Sequence, residues 1–88
     1  MPQLDISPTP NPNSLKCTLR KGTFIPEGME SFNSAEEAAG HALGKRLFRI
    51  GGIVNVFIMP RFLTVTKTPE ADWGDIMPEV ERAVADTR

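Results

Sequence analysis

The 88-residue sequence is poor in the side chains from which small proteins build chemistry, with one cysteine, one histidine, one tryptophan and no tyrosine. A single thiol, Cys17, forms no intrachain disulfide, and alone it does not complete a zinc or iron–sulfur site. No histidine cluster accompanies it. There is also no Cys-x-x-Cys pair, Walker loop, Gly-x-Gly-x-x-Gly run or Gly-x-Ser-x-Gly elbow, so no self-sufficient catalytic or nucleotide-binding motif is present. Excess charge is missing too. Ten Lys and Arg against eleven Asp and Glu leave a formal charge of −1, which argues against nucleic acid, because phosphate binding draws on surplus cations. No apolar run approaches the roughly 20 residues that span a bilayer, and no charged n-region with an apolar stretch opens the chain. A non-enzymatic protein of a reducing, cytoplasmic compartment, with no cofactor and no membrane partner, is the expectation that fits these absences.

What is there is the composition of an ordinary globular domain, 40% hydrophobic and 24% charged. That supports one modest core, and residues 1–88 read as one domain. Leu4-Asp5-Ile6 alternates as a short strand. Pro8, Pro10 and Pro12 then impose an extended, turning loop on Ser7 to Asn13. From Ser14 to Arg20 the alternation is strict, with Leu15, Cys17 and Leu19 inward and Lys16, Thr18 and Arg20 outward. Residues 21–33 contain glycines and a proline among Phe24, Ile25, Met29 and Phe32, and are expected to form an anchored loop without a regular element.

Ser34-Ala35-Glu36-Glu37 matches a capping box and predicts a helix from there to about Phe48, ended by Gly51-Gly52. Ile53–Met59 and Phe62–Lys67 predict an antiparallel hairpin about Pro60-Arg61. Its pairing sends Val54, Val56, Ile58, Leu63 and Val65 to a core face, and Asn55, Phe57, Met59, Phe62, Thr64 and Thr66 to an open one. Trp73, Ile76, Met77, Val80 and Val84 mark a second helix with Asp72 as its cap. Pro78 predicts a kink, an irregular first turn or a start near Met77. The order ββαββα implies an α+β two-layer sandwich, a four-stranded antiparallel sheet with two helices on one face.

Among polar residues, Glu36 and Glu37 read as a solvated helix start, and His41 as a surface or boundary residue. Lys16, Arg20 and Lys67 form at most a small basic patch offset by acids elsewhere. Trp73 begins an apolar stripe and reads as a core anchor. Cys17, between Leu15 and Leu19, reads as a small buried hydrophobe. It is the sole, weak candidate metal ligand, and only if two chains share it.

Four segments in order, Thr9-Pro10-Asn11-Pro12-Asn13-Ser14-Leu15-Lys16, Leu47-Phe48-Arg49-Ile50-Gly51-Gly52-Ile53 leading to Val56-Phe57, Phe62-Leu63-Thr64-Val65-Thr66-Lys67, and Asp72-Trp73, resemble the N-terminal domain of Nfu-type (NifU-like) iron–sulfur scaffold proteins. The resemblance runs from about Ile6 to Val84 and implies a small α+β domain. In that family a separate C-terminal domain carries the cluster through a Cys-x-x-Cys pair, which this sequence does not contain. Cys17 stands where the family motif commonly continues with an aromatic or apolar residue, so cluster carriage does not transfer to it. Met59-Pro60-Arg61 replaces a more usual glycine and acid, a change expected to bear on partner choice at that turn.

The resulting expectation is a non-catalytic protein-interaction or accessory module of iron–sulfur cluster assembly or delivery. Its partners would be assembly or cluster-receiving proteins. Its candidate surface is the open sheet face, Lys16, Thr18, Asn55, Phe57, Phe62, Thr64 and Thr66, bordered by Asn11 and Asn13. The alternatives are a direct iron or iron–sulfur carrier using Cys17 in an oligomer, and a small ligand-sensing α+β domain.

Overall fold

The computed structural model describes residues 4–87. Its elements are β1 (Leu4–Pro8), β2 (Ser14–Leu19), β3 (Glu30–Phe32), α1 (Ala42–Phe48), β4 (Ile53–Ile58), β5 (Phe62–Lys67) and α2 (Trp73–Thr87). All strand pairings are antiparallel, in the order β1-β2-β5-β4-β3. Period-two alternation sends Cys17, Leu19, Val56, Ile58, Leu63 and Val65 into one core, where they meet Leu43 and Leu47 of α1 and Ile76, Val80, Ala83 and Val84 of α2. The α+β class with two helices is therefore as the sequence predicts. Among the described residues no helix is long and apolar enough to cross a membrane.

The sheet has five strands, not four, and three of them precede α1. The added strand, β3, has only three residues, too few for alternation to register. Tertiary contact makes it: Phe32 enters the core at 8% exposure and lies opposite Val56 on β4. A left-handed Gly28 (φ 77°) precedes it.

The first helix is shorter than the capping-box reading predicts. The two side-chain bonds form on a turn instead: Ser34 Oγ accepts from the Glu37 N–H at 3.2 Å, while the Glu37 carboxylate accepts from the Asn33 N–H at 2.8 Å. Backbone bonds after it mix i+4 and i+3 spacing, as in Ala38 N–H to Ser34 O and Ala39 N–H to Glu36 O. The helix proper starts after His41, whose extended backbone (φ −116°, ψ 116°) makes it the N-cap. Its Nδ1 accepts from the Gly44 N–H at 3.0 Å, a role that Ser or Asp more often fills. Gly44 is bare where Phe32 presses in: a Cβ there would lie 3.0 Å from the Phe32 ring.

A β-bulge in β4 corrects the face assigned to Val54. Ile53 pairs with Lys67 and Asn55 with Thr66, so Val54 is the extra residue. It is 44% exposed whereas Ile53 is 7% exposed. Beyond the bulge, Val56 and Ile58 face the core as the alternation predicts. Pro78 does not delay α2, which runs from Trp73 to Thr87 with the proline inside. The Asp72 carboxylate accepts from the Gly74 N–H at 2.9 Å and begins it. Burial of Ile76, Val80, Ala83 and Val84 on the core side offsets the backbone bond that Pro78 does not make.

Gly51-Gly52 lead from α1 into β4, and the two glycines differ. Gly52 has φ +98°, and a Cβ on it would lie 2.6 Å from the Ala71 Cβ; around Gly51 nothing lies within 4 Å of such a Cβ. Gly52→Ala is expected to lower the unfolding free energy by about 1–3 kcal/mol from backbone strain alone, with the Ala71 clash adding to it. Gly51→Ala is expected to change little. Urea denaturation of the two variants checks the contrast.

Candidate functional site

Both helices lie on the core side, and the other side of the sheet carries a register of small polar and aromatic residues. Across it run the row Ser7, Lys16, Thr64, Phe57, Ser31, the row Asp5, Thr18, Phe62, and the row Ser14, Thr66, Asn55. Lys16, Thr18, Asn55, Phe57, Phe62, Thr64 and Thr66 are all half-buried, none fully covered. The register thus brings together all seven sheet residues singled out from the sequence.

The centre of this face is an aromatic pair under a cation. The Phe57 and Phe62 ring centroids are 6.4 Å apart and tilted by 48°, a favourable aromatic geometry. Lys16 Nζ sits 4.4 Å from the Phe62 centroid, within cation–π range. Hydroxyls and amides surround them. Ser14 Oγ and Thr66 Oγ1 lie 2.7 Å apart, and Asn55 Nδ2 donates to Asn33 Oδ1 at 2.6 Å.

The three cations considered as a patch separate in space. Arg20 pairs with Asp5 at 2.8 Å, Lys16 covers Phe62, and Lys67 is buried at 8% exposure. Lys67 Nζ donates to Asn13 Oδ1 at 3.1 Å and to the Thr68 carbonyl at 3.3 Å. It also lies 5.6 Å from the centre of the Trp73 ring, whose Nε1 donates to the Pro12 carbonyl. These contacts stand in for the water that the ammonium loses.

Asn11 and Asn13 are consequently engaged within the chain. Asn11 Oδ1 accepts from the Asn13 N–H at 2.9 Å, Thr9 Oγ1 accepts from the Asn11 N–H at 3.1 Å, and the Asn11 carbonyl accepts from the Ser14 N–H at 3.0 Å. Such local bonds are what Asn and Thr bring to a proline-rich turn. The loop joins β1 to β2, and Asn13 clamps it to Lys67. Arg61 is engaged as well, donating to the Gly22 and Leu19 carbonyls at 3.2 and 3.4 Å. With the Phe24 N–H bonded to the Pro60 carbonyl, it fastens the 20–25 segment to the hairpin end. Neither clamp was legible from sequence, since the partners are far apart in the chain. Lys67 shares the parity of Leu63 and Val65, but its charge invites reading it with Lys16 and Arg20 as a surface patch.

Cys17 is fully buried at 0% exposure. Burial first, and then the nearby Glu81 charge, push its thiol up to about 12. Among the described residues no group of three His, Cys, Asp or Glu side chains gathers to hold a metal ion.

Comparison with known proteins places this geometry in context. The family model described as "Scaffold protein Nfu/NifU N terminal" matches residues 4–87. A human protein, "NFU1 iron-sulfur cluster scaffold homolog, mitochondrial", is 39% identical over 79 residues, covering 89% of this chain and 31% of its own length. "Conserved virulence factor C" of Staphylococcus aureus is 36% identical over 80 residues, covering 91% of this chain and 21% of its own length. The chain thus spans about a fifth to a third of these relatives. The solution structure of a NifU-like protein from Saccharomyces cerevisiae shares the fold, with a TM-score of 0.81 at 24% identity, over 94% of this chain and 75% of that one.

The thiol gives a prediction with a definite sign. Unfolded, it ionises near the ordinary 9.0; folded, it holds its proton to about 12. Below pH 9 both states are protonated and there is no contribution to the slope. Above it the unfolded state binds fewer protons, so stability falls with rising pH, by at most about 1.4 kcal/mol per unit. Urea titrations from pH 8 upward are expected to show this fall in the native sequence and to lack that increment in Cys17→Ala. Disulfide reagents are expected to label Cys17 only after denaturation; rapid labelling of the native protein would contradict its burial.

Proposed function

Because this chain belongs to the Nfu/NifU N-terminal scaffold family, we propose that it is a non-catalytic interaction module of iron–sulfur cluster assembly or delivery, which docks proteins on its open sheet face and holds no cluster itself. The observation that carries the reading is the Phe57–Phe62 pair, half-exposed at the centre of a sheet face that neither helix covers. Aromatic side chains ringed by hydrogen-bonding residues are the make-up of protein interfaces. The family and its human relative, an iron–sulfur cluster scaffold homolog, supply the pathway.

The carrier alternative needs Cys17 to reach a second chain. Its complete burial on the core side of β2, between Ile6 and Leu63 in the register, opposes that. A raised thiol pKa opposes it further, since metal ligation requires the thiolate.

The test is affinity capture from a lysate of the source cell with the native protein and with Phe57→Ser. The native protein is expected to recover cysteine desulfurase, scaffold or cluster-receiving proteins. Phe57→Ser is expected to keep its circular dichroism and to lose about tenfold or more of that capture, as central aromatic residues of interfaces do. Equal capture by both proteins, or recovery of an unrelated pathway alone, would refute the proposal.

A further inference from the structure

Lys16 is placed on the open face in a way that specifies the chemistry of what docks there. In the register its backbone stands between Ser7 on β1 and Thr64 on β5, so the residues beside it across the sheet both carry hydroxyls. Its Nζ leans over Phe62, next to Phe57. Among the strand residues, Asp5 is the one carboxylate on this face, and Arg20 already holds it at 2.8 Å. Glu30, the other strand carboxylate, lies opposite Ile58 and so takes the other parity. A cation over one ring of an aromatic pair, on a strand whose register neighbours carry hydroxyls, is complementary to a carboxylate carried beside an apolar group.

We infer that the open face recognises a protein segment presenting an Asp or Glu next to an apolar side chain, the carboxylate meeting Lys16 with Ser7 and Thr64, and the apolar group resting on Phe57 and Phe62. This rests on the reading of that face as the docking surface, and adds the identity of the group it selects. A second copy of the chain is a poor occupant. Face-to-face docking would bring two Lys16 ammoniums together, with Asp5, already paired, the only strand carboxylate on each face to answer them. Docking onto the exposed acids of a neighbour's α2, such as Asp75 and Glu79, would be head-to-tail and would yield rings or filaments, not a two-fold dimer.

The test uses a random-peptide phage library panned on the whole protein, followed by titration of an enriched peptide and its Glu→Gln or Asp→Asn twin with amide shifts monitored. The expected result is enrichment of an acid beside an apolar residue, with shifts concentrated at Lys16, Phe57, Phe62 and Thr64. Affinity is expected to fall by about three- to tenfold in Lys16→Met or with the amide twin, and to weaken with salt. Enriched peptides without carboxylates, shifts centred elsewhere, indifference to Lys16→Met, or self-association through this face would each overturn the inference. Lysate capture separates the two levels. Capture lost in Phe57→Ser but kept in Lys16→Met leaves the docking surface standing and removes the acidic specificity. Capture kept in both removes the surface as well.

Discussion

The antiparallel pairing of β2, β5 and β4 is the constraint on which the rest of the molecule depends. Each of these strands puts alternate side chains on opposite sides, and the register aligns Cys17 with Leu63 and Val65 with Val56. That alignment makes one continuous apolar surface, which two amphipathic helices cover. It also aligns the intervening residues into a second surface. In so short a chain two helices serve a single layer, so Lys16, Phe57, Phe62 and Thr64 stay half-exposed as a consequence of the same pairing that builds the core.

The loops hold this frame at its corners. At one end the proline-rich turn closes on itself through Thr9 and Asn11 and clamps Lys67 through Asn13, while Trp73 at the start of α2 covers the lysine and bonds Pro12. At the other end Arg61 and Pro60 tie the hairpin to the 20–25 segment. The residues by which the chain resembles its family fall at these corners, along the open face and, as Leu47, Val56, Leu63 and Val65, in the core. The Thr-Pro-Asn-Pro-Asn motif and Asp72-Trp73 keep the sheet edges in place, and Gly52 permits a left-handed approach to Ala71 that no other residue makes without strain.

Local pattern carried the reading of sequence to structure where the physics is local. Alternation identified β2, β4 and β5 and the face on which each of their residues lies, except at Val54, where a bulge inserts a residue that no pattern of hydrophobicity records. The stripe of α2 and its Asp72 cap were legible, whereas the delayed start that Pro78 suggested does not occur, because burial of four side chains outweighs the cost of the proline. The stretch before α1 misled for the opposite reason. A capping-box pattern and alanines favour helix, yet seating Phe32 against bare Gly44 draws the segment into a turn and shifts the cap to His41. Strand β3 and the Lys67 clamp are products of long-range contact and leave no local trace. The seven sheet residues proposed for the surface share one face because parity alone puts them there, whereas Asn11 and Asn13 are engaged in the fold for reasons visible only in three dimensions.

A single thiol sealed in the core and an aromatic pair left in the open divide this domain into a part that holds its shape and a part that meets others. The account turns on that second part being accessible in the free protein. Hydroxyl-radical footprinting of the native chain, read by mass spectrometry at several protein concentrations, tests it most directly. The account predicts oxidation of Phe57 and Phe62 at every concentration, with Phe32, in the core at 8% exposure, protected. Protection of Phe57 and Phe62 to the level of Phe32 would contradict it, showing the face to be covered before any partner arrives.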